Sequence, residues 1–198
     1  MLSERYINLF IEDVKLSRTV WKGLPQGSVL SPLLYNVYTY DLETSLQASA
    51  NVLQYADDLL IYKSGKSIEN NCQTLTSSLS FLKSWLNSNG LDLSVSKSRV
   101  VLFSRMRRPL PVQVKFNSVL IPTTNDVKFL GVVLDSKLTG VPHCEYGTAR
   151  CERNLNILRC LSGIWWGAHS HSLKLIYNAI IRSVMDYGTF LLEPGIWF

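Results

Sequence analysis

Val52-Leu53-Gln54-Tyr55-Ala56-Asp57-Asp58-Leu59-Leu60-Ile61-Tyr62 is the stretch on which the fold turns. Two runs rich in β-formers flank Ala-Asp-Asp, which reads as a hairpin with acids at its turn. Arms of this composition predict burial, so two like charges stand at the rim of an apolar sheet. There they repel and are poorly solvated, an arrangement that calls for cations beside them. Hard divalent ions such as Mg²⁺ prefer one or two carboxylates plus substrate phosphates. A carboxylate pair on a rigid hairpin therefore suits phosphoryl or nucleotidyl transfer by two metals about 3.5–4 Å apart. Tyr55 to Asp58 also fit an ordinary exposed turn, and alone they do not decide between the two.

Upstream, Gly23-Leu-Pro-Gln-Gly-Ser-Val-Leu-Ser-Pro32 reads as a glycine-bracketed loop feeding a helix. Ser31 suits the cap and Pro32 the first helical position. Glycines let backbone approach a ligand closely, and helix-start amides suit anionic groups. Gln26 offers both donor and acceptor to a base or sugar edge. A tight turn before a core helix accounts for the glycines and Pro32 but gives no reason for Gln26. Leu34, Val37, Tyr38 and Leu42 then recur at helical spacing.

Further out, residues 1–22 predict a short helix followed by a strand at 18–21. Residues 72–89 predict a helix with Leu75, Leu79, Leu82 and Leu86 in one stripe, stopped by Asn89-Gly90. Strand-like pieces are expected at 100–103, 112–116 and 127–134. Helices follow at 154–161 and 172–186, the second ended by Gly188. Gly140, Pro142 and Gly147 interrupt the chain, which places a boundary near 138–148.

The chain has 198 residues, 46% apolar and 18% charged. That suits one core-burying domain with a small helical extension, and excludes a disordered tail or a collagen-like fibre. No apolar run approaches the roughly 18 residues of a membrane span. Tyr6 to Ile11 carries Asn8 and runs into Glu12 and Asp13, which argues against a signal peptide. The expectation is an intracellular, soluble chain without membrane association. Cys72, Cys144, Cys151 and Cys160 form no C-x-x-C pair and read as ordinary thiols, neither a zinc site nor a disulfide framework. The net charge is +5, and eight of the 20 lysines and arginines fall between residues 96 and 137 against two aspartates. A localised basic stretch is the footprint of a phosphate-backbone partner, and it also fits a solvated surface.

Gly23-Leu-Pro-Gln-Gly-Ser-Val-Leu-Ser-Pro32 followed by Tyr55-Ala-Asp-Asp58 resembles the paired palm motifs of the reverse transcriptase of non-LTR, LINE-like retrotransposons. Leu82 to Lys97 resembles the helix-and-lysine motif that follows the catalytic hairpin. Phe129-Leu-Gly-Val-Val-Leu-Asp135 is similar to the primer-grip segment. Leu155 to Tyr187, with Trp166-Gly167 and Asp186-Tyr187-Gly188, is similar to the helical thumb region of jockey- or R1-type elements. His143 matches a thumb-junction histidine, whereas Gly140 stands where relatives carry a bulkier residue.

The resemblance implies an α+β fold: an incomplete polymerase palm, an antiparallel sheet with packed helices, followed by a helical thumb. It divides the chain into a partial fingers and palm at 1–137 and a thumb-like region at 138–198. It makes Asp57 the metal-binding aspartate and Asp58 its less direct partner, with Mg²⁺, or Mn²⁺ as substitute. Gln26 and Gly27 would line the nucleotide and template pocket, and Lys97 would protonate the pyrophosphate leaving group, unless it is one more phosphate-facing or solvated lysine. Leu130 and Gly131 would lie at the primer grip, and Arg105, Arg107 and Arg108 along the nucleic-acid backbone. The implied partners are an RNA template, a DNA primer and deoxynucleoside triphosphates, in a nuclear setting, with flanking endonuclease or RNase H domains in a full-length element.

The family's third catalytic carboxylate lies several tens of residues before its Gly-x-Pro-Gln-Gly, and here only 22 residues precede Gly23. An N-terminally truncated, catalytically silent copy is therefore expected. The alternatives are a non-catalytic module that holds nucleic acid, or a structural fragment without activity.

Overall fold

The computed structural model describes residues 5–11, 14–20, 23–25, 27–46, 50–106, 111–163 and 166–189. Its architecture is α+β, helices interleaved with small antiparallel sheets. Strands β1 (Arg5–Ile11) and β2 (Val14–Val20) pair along their length, from Arg5 opposite Val20 to Ile11 opposite Val14. The predicted helix at the start of the chain is thus a strand. Tyr6, Ile7, Phe10 and Ile11 are β-branched or aromatic, and a partner strand rich in the same residues supplies the ladder that a short helix lacks. Helix α1 (Ser31–Tyr38) follows the glycine-bracketed loop. Its cap position is Leu30, one residue before the predicted Ser31, whose hydroxyl instead donates to Pro25 O at 2.7 Å and closes the loop. Leu34 and Val37 are exposed, so the predicted stripe buries only Leu42, in α2 (Leu42–Ser45).

Helix α3 (Ile68–Ser88) organises the core. Ser67 caps it, its Oγ accepting from Asn70 N–H. Leu79 and Leu82 of the predicted stripe are buried, with Trp85 from beside it, against Leu42, Leu46, Val114, Phe116 and Ile121, while Leu75 and Leu86 are half-buried at its edge. Trp85 Nε1 donates to Asp41 at 3.0 Å, and the Tyr38 hydroxyl donates to Asn89 O. These two bonds fasten α1 and α2 to α3. Strands β3 (Asn51–Tyr55) and β4 (Asp58–Tyr62) lean on the same cluster through Val52, Leu59 and Ile61. Each fully buried aliphatic or aromatic side chain contributes about 1.5–3 kcal/mol, so this cluster fixes what rests on it.

Strands β5 (Lys115–Phe116) and β6 (Val119–Leu120) form a short hairpin. The strand expected at 100–103 is irregular chain joined to Thr123 by a single bridge at Val100. Strands β7 (Asp126–Phe129) and β8 (Val132–Asp135) divide the piece expected at 127–134 into a hairpin. Helix α4 (Val141–Leu161) begins well before the predicted Asn154. Gly140, at φ +73, is its cap residue, Pro142 lies in its first turn, and Gly147 is carried inside it.

Helix α5 (Ser170–Tyr177), a π-helical stretch (Asn178–Arg182) and α6 (Ser183–Asp186) follow one another without a break. A π turn leaves carbonyls without their usual partners. Here α4 supplies the donors: Asn154 Nδ2 to Ile180 O at 2.6 Å, and Cys151 Sγ to Ile181 O at 3.8 Å. Among the described residues every sheet has two strands, and no helix is long and apolar enough to cross a membrane. All four cysteines are free thiols.

Candidate active site

Tyr55 pairs with Asp58, which leaves Ala56 and Asp57 as a two-residue turn. Ala56 has φ +50 and Asp57 stays out of the left-handed region, the pattern of a II′ turn. An alanine there costs about 1–2 kcal/mol. Gln54 holds the strained turn: its side-chain amide donates to Ala56 O and to Thr39 Oγ1, both at 3.1 Å. The turn is thereby tied to the end of α1.

Residues directly opposite across an antiparallel pair share a face. Val52 with Ile61, and Leu59 opposite Gln54, lie on the face turned to the core cluster, while Leu53 with Leu60 and Tyr55 with Asp58 lie on the other. Leu53 is 54% and Tyr55 66% exposed, so the arms are buried on one face only and not, as predicted, throughout. The physical reason is that the core cluster covers only one side of this two-stranded sheet. Asp58 stands on the open face. Asp57 serves the α1 side, where its charge reaches Tyr35. Burial first, Asp57 second and Tyr38 third push the Tyr35 phenol above its ordinary value. Neither Tyr35 nor the Gln54–Thr39 contact was singled out by the sequence, because helical spacing assigns Tyr35 no partner.

The remaining predicted residues are spread over the chain. Gln26, Arg107 and Arg108 lie outside the described residues. Gly27 has φ +83, and a side chain there would meet open space, so the turn needs it for its backbone angle and leaves room above it. Lys97 is exposed on the turn after α3, its N–H donating to Ser94 O at 3.2 Å, and it forms no ion pair with Asp57 or Asp58. Arg105 is exposed on the irregular chain that follows. Among the described residues no three His, Cys, Asp or Glu side chains cluster as metal ligands.

Leu130 and Gly131 form the β7–β8 turn, both left-handed, at φ +47 and +85, the I′ pattern. Leucine is a costly occupant of its position, and the Tyr187 hydroxyl secures it by donating to Leu130 O. A Cβ on Gly131 would approach Tyr187 Cε1 to 3.1 Å, so this glycine is required by angle and by space. His143, 8% exposed, completes the fastening: its Nδ1 accepts from Val133 N–H at 3.4 Å, leaving Nε2 to donate to Tyr187 O at 3.2 Å. The tip of one hairpin is thus held by the end of the last helix.

Residues 2–134 match the family model described as reverse transcriptase (RNA-dependent DNA polymerase). The chain is 26% identical over 208 residues to the "Probable RNA-directed DNA polymerase from transposon BS" of Drosophila melanogaster, covering 86% of this chain and 23% of the relative. It is 31% identical over 143 residues to the corresponding X-element protein of the same fly, covering 70% of this chain and 16% of the relative. With the "RNA-directed DNA polymerase from mobile element jockey", also of Drosophila melanogaster, it shares 30% over 149 residues, 72% of this chain and 16% of the relative. The chain spans less than a quarter of the length of these curated relatives. No solved structure matches it. The match to the family model covers most of the chain and contains both the Gly-Leu-Pro-Gln-Gly loop and the Asp57 turn, and the chain belongs to the reverse transcriptase family, in the branch of the non-LTR retrotransposons.

Proposed function

We propose that this chain carries the carboxylate turn of an RNA-directed DNA polymerase centre. In the intact protein the centre extends a DNA primer on an RNA template and releases pyrophosphate from each deoxynucleoside triphosphate. One observation carries this reading: Asp57 sits at the tip of a two-residue turn that Gln54 locks to α1, the helix fed by the glycine-bracketed loop. An exposed carboxylate on a fixed turn fits Mg²⁺, which takes few protein oxygens and fills its remaining positions with water and phosphate. Asp57 would hold the ion, with Asp58 supporting from the neighbouring position. A bound Mg²⁺ would neutralise charge developing on the transferring phosphates.

The chain's own residues do the rest. Gln26 and Gly27 line the space beside the nucleotide, and the Leu130–Gly131 turn presents backbone to the primer end. Lys97 donates a proton to the departing pyrophosphate. Arg105, Arg107 and Arg108 track the strand. Residues 1–137 act as partial fingers and palm, and 138–198 as thumb. Two adjacent acids are few ligands for a two-metal centre, and a further carboxylate completes it.

The test is primer extension on an RNA template with Mg²⁺ or Mn²⁺, comparing the 198-residue chain, a chain extended at its N-terminus by a relative's preceding palm strand, and the Asp57→Ala form of the extended chain. We expect extension only from the second. Asp57-independent extension would refute the assignment, and failure of the extended chain would favour a nucleic-acid-binding module without catalysis.

A further inference from the structure

Lys128 and Arg150 are separated by 22 positions in sequence and flank one phenol, Lys128 by contact and Arg150 from the next turn of the same helix. Lys128, exposed on β7, places Nζ 2.6 Å from the Tyr146 hydroxyl and 4.4 Å from its ring centroid. Arg150 lies one helical turn beyond Tyr146 on α4, where i and i+4 share a face, and it brings a second cation beside the phenol. The phenol is held below its ordinary value, first by the hydrogen bond from Lys128, then by the Lys128 charge, against slight burial, with Arg150 adding to the effect.

No carboxylate balances these cations: among the described residues the only ion pair is Arg182 with Asp186. The α4 acids Glu145 and Glu152 line a different, open groove with Thr148 and Val141. Two like charges converging on a neutral oxygen repel, and the arrangement becomes favourable when an anion sits among them. The geometry also leaves donors to spare. An ammonium has three N–H groups and one is spent on the phenol, a guanidinium has five, and the phenol O–H is free to donate outward. An ammonium, a phenol and a guanidinium on one helix-and-strand face offer donors that suit the oxygens of a phosphate group.

We propose that Lys128, Tyr146 and Arg150 form a site for one phosphodiester of a nucleic-acid strand. Lys128 precedes Leu130 by two residues along the strand, about 7 Å of extended chain. The site is therefore adjacent to the turn read above as the primer grip, and assigning the strand as the primer rests on that reading. Both cations are exposed, so a lone phosphate gains little here. A backbone that also meets the basic stretch between residues 96 and 137 is held at several points at once, which favours the polymer over the free anion.

The experiment titrates a fluorescent DNA–RNA primer–template onto the 198-residue chain across a salt series. Lys128→Gln combined with Arg150→Gln should weaken binding about tenfold near 0.1 M salt and make the slope of log affinity against log salt shallower by about two contacts. The charge-preserving pair Lys128→Arg with Arg150→Lys should keep the wild-type slope, which separates charge from folding. Tyr146→Phe should weaken binding a few-fold at unchanged slope. A wild-type slope in the doubly neutral chain would overturn the site. In a second arm, the Tyr146 ring signal is followed by NMR as duplex, inorganic phosphate or pyrophosphate is added. Movement with micromolar duplex and none with equal phosphate or pyrophosphate supports the proposal. Movement with the free anions that duplex does not displace overturns it. Because no arm reads synthesis, a failed primer-extension assay with the salt result intact would remove the primer assignment and leave the phosphodiester site.

Discussion

At the scale of single residues, the hairpin turn that carries the carboxylates was legible and its surroundings were not. Asp57 and Asp58 draw notice as adjacent carboxylates between β-forming runs, a pattern that an ordinary exposed turn also fits. Tyr35 does not, because its closeness to Asp57 depends on α1 folding back against the hairpin through Gln54 and Thr39. That closeness is measurable. Removing the Asp57 charge should lower the Tyr35 phenol, since a negative neighbour opposes ionisation, but burial and Tyr38 should still hold it above the ordinary 10.0. Asp57→Asn, followed by NMR titration of Tyr35, tests the direction. Saturating Mg²⁺ should shift it the same way in the wild type if the ion sits on Asp57. An unmoved Tyr35 in Asp57→Asn would mean that the carboxylate faces away from α1. The turn at Leu130 was missed for another reason. Leucine is not a turn residue, so Phe129-Leu-Gly-Val reads as uninterrupted strand until the Tyr187 hydroxyl is seen to hold Leu130 at φ +47.

At the scale of elements, strong periodicity was readable and punctuation misled. The stripe of α3 and the two arms of β3 and β4 stand where the sequence puts them. Helix α4 was mostly missed because Gly140, Pro142 and Gly147 look like breakers. Two of them occupy the cap and first turn, where they help, and an interior glycine costs only about 1 kcal/mol against alanine. The entry to α4 is set by Asp135, whose carboxylate accepts from Thr139 N–H at 2.9 Å, Gly140 N–H at 3.0 Å and the Thr139 hydroxyl at 3.0 Å. Slight burial raises its pKa, but these donors and Lys137 N–H outweigh it and hold the carboxyl below its ordinary 3.8. A depressed carboxylate contributes stability above its unfolded value, and that contribution is lost as pH falls through 3.8 and on through the folded value. Asp135→Ala should therefore cost about 1 kcal/mol at pH 7, the usual worth of such a cap. The deficit should shrink below pH 3.8. Urea unfolding of both chains at pH 7 and pH 3 checks it; an equal deficit at both would show that the loss is packing and not charge.

At the scale of the whole molecule, one sheet was expected and the described residues form four separate hairpins. Periodicity reports that a strand has an apolar face, but not which surface covers it. The consequence is uneven stability. Among the described residues ten hydrophobic side chains are buried and 28 large ones are exposed, and the buried ones gather around α3. The β1–β2 hairpin has no substantial contact with any other described element, and Tyr6, Leu9, Phe10 and Leu16 are all more than half exposed. An isolated two-stranded hairpin is marginal in water, whatever the quality of its ladder. Hydrogen exchange on the 198-residue chain should therefore show three tiers. Amides of α3 from Leu79 to Trp85 should exchange only by global unfolding, and those of β3–β4 next, through the face that Val52, Leu59 and Ile61 press on the core. Amides of β1–β2 should exchange close to the unprotected rate, because opening that hairpin uncovers no core. Protection of β1–β2 equal to that of α3 would mean that another surface covers the hairpin in solution. A dilution series would then identify it: protection lost on dilution places a second copy there, whereas protection independent of concentration places the surface within the chain itself.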